Sequence, residues 1–137
     1  MLAKDHKDDK IKRFNLDKLS QVEGKKKKFQ YPVDFDPRVM FKNCFGIITP
    51  QKGEQVEEVI LSFHLQQGRY VKSYPLHESQ RELECGDDEY KISLNIYITD
   101  DFIMEILSYG EDAEVIMPVS LKNAVKGRLG KALAYYQ

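Results

Sequence analysis

Between Val56 and Met117 the spacing of apolar residues switches from two to about 3.6 and back again, twice over. Val59, Leu61 and Phe63 alternate with Ile60, Ser62 and His64, which predicts a strand that is apolar at most positions and central in its sheet. Leu65 to Tyr74 follows as a short helix that contains Gly68 and is ended by Pro75. Gln80 to Cys85 alternates weakly, and Gly86-Asp87-Asp88 turns it into the next run as a hairpin. Tyr90, Ile92, Leu94, Ile96 and Ile98 then line one face while Lys91, Ser93, Asn95 and Tyr97 line the other, the pattern of a strand with one side on a core. Thr99 and Asp100 suit a helix N-cap, and the pair Asp100-Asp101 suits the positive end of the helix dipole. Phe102, Ile103, Ile106 and Leu107 make the helical stripe, Gly110 suits the position just past its end, and Ala113, Val115 and Met117 form a last strand closed by Pro118.

The order β-α-β-β-α-β predicts an α+β fold, a ferredoxin-like sandwich with both helices on one face of a four-stranded antiparallel sheet. The polar sheet face is then left for water, a ligand or a second subunit. A further helix, capped by Ser120, is expected at the C-terminus with Leu121, Val125, Leu129, Leu133 and Tyr136 on its apolar face. Gly127 and Gly130 weaken it by about 1 kcal/mol each relative to alanine, so packing has to hold it. Ser73 to Gln80, SYPLHESQ, is expected to connect the first helix to the second strand.

Upstream the pattern differs. Met1 to His6 and Ile11 to Leu16 suggest two short strands around the polar turn Lys7 to Lys10. A lone hairpin is marginally stable, so this start is expected to be the remnant of a larger sheet. Gly24 and Lys25 to Lys28 mark a loop, Pro32 and Pro37 flank a linker, and Arg38 to Phe45 suggests a helical turn. The chain therefore divides into residues 1–34 and 35–137.

Composition narrows the class. With 137 residues, 42% of them hydrophobic and 31% charged, the chain is sized for one domain and a fragment. No apolar run approaches the ~18 residues of a membrane span, and the first twenty residues are charged, so the expected location is the cytoplasm. Cys44 and Cys85 match no metal spacing and are read as free thiols of a reducing compartment. The overall charge of −1 divides unevenly, with residues 1–28 at +5 and the remainder at −6. The basic end could meet an anion, while the rest should repel a bare phosphate backbone.

Candidate chemistry is sparse. His6, His64 and His77 are unpaired with one another and with cysteine, and no phosphate-cradling glycine loop, nucleophile elbow or Cys-x-x-Cys occurs. His77, Glu78 and Ser79 are near neighbours in a loop, an arrangement that does not aim three groups at one reacting atom. Neither an enzyme nor a cofactor or metal is expected. Arg69, Tyr70, Lys72 and Tyr74 interleave basic and aromatic groups as nucleic-acid-binding surfaces do. The acidic balance of this part opposes that, and the tyrosines are read instead as amphipathic edges of a core.

Three passages in order resemble the C-terminal part of bacterial WYL-domain transcriptional regulators. Arg13-Phe14-Asn15-Leu16-Asp17-Lys18-Leu19 resembles the segment that ends the Sm-like β-barrel of the WYL domain. Phe35-Asp36 with Phe45-Gly46-Ile47 resembles the joint to the C-terminal extension. Val59-Ile60-Leu61, Tyr74 to Gln80, Ile106 to Gly110 and Glu114 to Pro118 resemble the extension itself. The chain has no Trp, so the eponymous Trp-Tyr-Leu tripeptide is absent, and most of the barrel and a helix-turn-helix are missing. The resemblance implies the effector-sensing and dimerising portion of a DNA-binding regulator, with a single-stranded nucleic acid or nucleotide as effector. It implies a homodimer that meets DNA only through the missing N-terminal domain, and no membrane. Arg13 and Lys18 fall on basic positions that the family uses around its ligand pocket. Lys18 stands where Arg is usual, and a lysine lacks the bidentate fork of arginine. The competing expectation for this topology is a stand-alone, ACT-like small-ligand or oligomerisation module. An acylphosphatase-like enzyme would need an arginine-bearing anion loop, which Gln66-Gln67-Gly68-Arg69 resembles only superficially.

Overall fold

The computed structural model describes residues 1–26, 28–83 and 86–137. Cys85, expected to be a free thiol, and part of the Lys25 to Lys28 run lie outside the described residues. The chain forms two compact units, Met1–Phe35 and Asp36–Gln137.

In the first unit, β1 (Leu2–Asp5) pairs antiparallel with β2 (Lys10–Arg13), placing Leu2 opposite Arg13 and Asp5 opposite Lys10. Asp9 adopts a positive φ of 61° in the turn. A 3-10 turn, Leu16–Lys18, follows, capped by the Asn15 side chain, which accepts from the Asp17 N–H at 3.1 Å. None of the described residues in this unit is buried. The hairpin therefore rests on backbone pairing and surface charges, with no core of its own.

The second unit opens with α1 (Pro37–Phe41), shorter than the expected Arg38 to Phe45. Its four-stranded sheet contains β3 (Glu57–His64), β4 (Arg81–Glu82), β5 (Glu89–Ile96) and β6 (Ala113–Met117). The spatial order is β4-β5-β3-β6, all antiparallel, the ferredoxin-like arrangement. The fold is α+β with an added C-terminal helix, as the hydrophobic periods predict.

The register shows why one sheet face is the core. Val59, Leu61 and Phe63 of β3 stand opposite Leu94, Ile92 and Tyr90 of β5, and Leu61 also faces Val115 of β6. These side chains are buried, together with Val71 from α2 (Leu65–Ser73) and Phe102, Ile103 and Ile106 from α3 (Asp100–Ser108). Leu121 from α4 (Val119–Ala134) completes the cluster. Each such fully buried apolar side chain stabilises by about 1.5–3 kcal/mol. Phe63 meets Tyr109 edge-on at 5.3 Å, and Phe45 stacks obliquely on Phe102 at 5.5 Å.

Several local expectations are corrected. The final helix begins at Val119 after Pro118, with no side-chain cap, so Ser120 lies inside it. Its apolar stripe is only half used: Leu121 is fully buried and Val125 half-buried, but Leu129, Leu133 and Tyr136 are exposed. The core lies beneath the first turns, and the last turns run past it. Tyr90 is buried, yet Tyr70 and Tyr74 are 60% and 80% exposed rather than edging the core. Gly68 and Val71 face the sheet, and helical geometry turns residues 70 and 74 away from it. Gly68 itself is a contact point, since a Cβ there would lie 2.3 Å from Tyr90 Cβ.

Candidate functional site

Arg13, at the end of β2, and Lys18, closing the 3-10 turn, are both exposed and sit on separate elements of the first unit. Around them the hairpin neutralises much of its own charge. Lys12 Nζ lies 2.7 Å from Asp5 and 2.8 Å from Asp8, and Lys4 lies 2.7 Å from Asp9. The hydrogen bond from Lys12 holds the Asp5 carboxyl below its usual range, and Asp5 in turn raises Lys12. Arg13 and Lys18 remain the cations that resemblance singles out. Both are surface groups, one a planar fork and one a point charge.

SYPLHESQ proves to be a hydrogen-bonded brace. Ser79 Oγ accepts from the Asn95 N–H at 2.9 Å and lies 3.3 Å from the Asn95 carbonyl, so its side chain occupies the place of a neighbouring strand's backbone. His77 Nε2 faces the Lys42 carbonyl at 3.0 Å, and Nδ1 accepts from the Ser79 N–H at 3.1 Å. A carbonyl opposite Nε2 requires the proton on that nitrogen. Ser79 Oγ also lies 2.8 Å from His77 Nδ1, but the outer histidine nitrogen meets a backbone carbonyl rather than a carboxylate. Gln80 accepts from the Leu76 N–H and donates to the Val71 carbonyl, fastening the brace to α2. Asn43 adds a bond from its amide to the Asn95 carbonyl.

A second brace centres on Asp101. Its Oδ1 accepts from the Thr99 hydroxyl and the Phe102 N–H, and its Oδ2 accepts from the Ile48 N–H at 3.1 Å. Thr99 is the N-cap residue, yet its side chain makes no cap bond; Asp101 serves the helix terminus instead. Gly46 lies so near that an added Cβ would stand 2.6 Å from Asp101 Oδ2. Sequence reasoning missed this role, because the contact joins positions 53 residues apart and leaves no local signal.

Two opposed surfaces remain. At one end, Asp87, Asp88, Glu89, Glu111, Asp112 and Glu114 line a groove of about 560 Å³ together with Ser62, His64 and Ala113. Lys91 and then Ser62 hydrogen-bond Glu89 and hold its carboxyl below the usual range. Elsewhere, α4 carries Lys122, Lys126, Arg128 and Lys131 without one carboxylate. Tyr109, partly desolvated and donating to Glu105 at 2.7 Å, has its phenol pushed up. No cluster of His, Cys, Asp and Glu among the described residues is placed to hold a metal ion. No helix among them is long and apolar enough to cross a membrane.

The chain matches a family model described as the WCX domain over residues 55–133, spanning β3 to nearly the end of α4. No curated protein matches it.

Proposed function

The chain belongs to the WCX family, the C-terminal domain found in WYL-containing transcriptional regulators, and on that premise we propose that it is the effector-sensing and dimerising portion of such a regulator. A regulatory role at that coarse level follows from the family. The finer reading is that of a non-enzymatic, cytoplasmic, bacterial module. Its first unit ends a WYL-type barrel and its second is the extension. Arg13 and Lys18 receive a single-stranded nucleic acid or nucleotide, a homodimer transmits the event, and DNA is met by a separate helix-turn-helix domain.

The observation that carries the reading is the family match on a ferredoxin-like sheet whose last helix leaves apolar residues uncovered. The coreless hairpin of the first unit supports it, since two strands without a buried residue are what the end of a larger barrel leaves behind. The mechanism is a population shift. Effector changes operator affinity only if it binds the DNA-competent and idle states unequally.

The test is to titrate the regulator, encoded in full, with labelled single-stranded oligonucleotides while following operator binding at several salt concentrations. The reading expects operator affinity to change, and Arg13→Ala with Lys18→Ala to weaken oligonucleotide binding and flatten its salt dependence. Unchanged operator affinity at every salt concentration would overturn it.

A further inference from the structure

The apolar stripe of α4 runs Leu121, Val125, Leu129, Leu133 at four-residue steps and leaves the core halfway. Leu121 is 0% exposed, while Leu129 and Leu133 are 45% and 58% exposed. Beside the uncovered half stand Lys126 and Lys131, which make no ion pair among the described residues, unlike Lys122 with Glu114 and Arg128 with Asp100. A helix that presents unpaired lysines beside its leucines fits a concave surface rimmed by free carboxylates. The groove at the far end of the sheet has that composition. Ala113 lines it beside the buried Phe63, and Asp87, Asp88, Glu111 and Asp112 around it make no ion pair among the described residues.

We infer that the C-terminal half of α4 docks on the carboxylate-rimmed groove of a second copy of this chain. The inference rests on the dimer reading above and assigns its surfaces. Pairing α4 with α4 is the obvious alternative, and charge opposes it: each helix carries two cations without an ion pair among the described residues, Lys126 and Lys131, and no carboxylate, so the two would repel. Docking α4 on the groove instead brings opposite charges together, as interfaces that discriminate partners do. Applied reciprocally about a two-fold axis, the contact closes at two chains.

The test is sedimentation equilibrium of the chain and three double variants at about 0.05 and 0.5 M salt, where screening of surface charge differs strongly. Wild type should dimerise, more weakly at high salt. Leu129→Glu with Leu133→Glu should abolish the dimer at both. Lys126→Glu with Lys131→Glu should weaken it on the order of tenfold or more, as should Glu111→Lys with Asp112→Lys. All four positions with altered charge are exposed, and circular dichroism should confirm an unchanged fold. Mixing the two charge-reversed variants should restore dimers, because each altered helix then meets an oppositely altered groove while each native helix meets a native groove. A dimer indifferent to these variants, or a mixture that stays monomeric, overturns the inference and leaves the dimer reading standing. A monomeric wild type overturns both.

Discussion

Replacing Gly68 by alanine separates helix propensity from packing. In a helix interior the change should stabilise by about 1 kcal/mol, because alanine loses less backbone entropy on folding. In α2 the new methyl would stand 2.3 Å from Tyr90 Cβ, 2.8 Å from Cγ and 3.1 Å from Cδ1. Ordinary carbon contacts lie near 3.5 Å, so the helix must back away by roughly 1.2 Å. Tyr90 Cβ is fixed to β5, and a rotamer change cannot clear it. Such overpacking costs about 1–3 kcal/mol or more, and a gap of that width forfeits part of the Val71 and Tyr90 packing as well. We expect a net loss of about 1–3 kcal/mol after the propensity gain is subtracted. Gly127→Ala is the internal control, since a Cβ there meets nothing within 4 Å. It should stabilise by about 0.5–1 kcal/mol. Urea unfolding followed by far-UV circular dichroism measures both. With a slope of about 1–3 kcal/mol per molar urea, the two midpoints should move in opposite directions, Gly68→Ala by roughly 0.3–3 M. A raised midpoint for Gly68→Ala would refute the close approach of α2 to β5.

The other expectations are narrower. Ser79→Ala should cost about 1–3 kcal/mol by leaving the Asn95 N–H unpaired, with faster hydrogen exchange at that amide as its local signature. Asp101→Ala should cost about 1–2 kcal/mol, and Gly46→Ala should be less harmful in that background than alone, a non-additivity that a double-mutant cycle in urea reads directly. Glu89 is held ionised by Lys91 and Ser62, so its contribution is present at neutral pH and is lost as pH falls below the usual carboxylate range. Glu89→Gln should flatten the acid limb of a stability–pH curve. The raised Tyr109 phenol works in the other direction. Stability should decline as pH rises past the ordinary phenol value of about 10, where only the unfolded chain ionises, and Tyr109→Phe should remove that decline.

What the sequence disclosed follows from range. Tyr90 to Ile96 announces its buried face because a strand's period is set by adjacent residues, and the element order follows from a string of such local signals. The contacts that hold the braces join distant positions. Ser79 reaches Asn95 sixteen residues away, His77 reaches Lys42 at a separation of 35, and Asp101 reaches Ile48 at 53. No period encodes those, so His77 and Ser79 look like an ordinary connection until the fold brings their partners in. Gly68 misleads for the same reason, being a poor helix former locally and a requirement of α2 packing globally. Arg13 and Lys18 come from resemblance alone, and the structure shows only where each stands.

The last helix is the instructive case, because its pattern and its environment disagree. A stripe of Leu121, Val125, Leu129 and Leu133 states that one face is to be covered, but not by what. The fold covers two of the four. Two glycines, at 127 and 130, lie in the half that the core does not reach, where propensity is weakest and a Cβ added at either would meet nothing within 4 Å among the described residues. A segment with apolar positions kept in helical phase, weak intrinsic helicity and no carboxylate gains most of its order from whatever meets its exposed face. Its stability and its partner are therefore coupled. If the groove of a second copy covers Leu129 and Leu133, hydrogen exchange along residues 127–134 should slow as protein concentration rises, while exchange in β5 stays constant. Exchange in that half-helix that does not depend on concentration would mean that α4 is ordered by its own chain, and the uncovered leucines would then need another explanation.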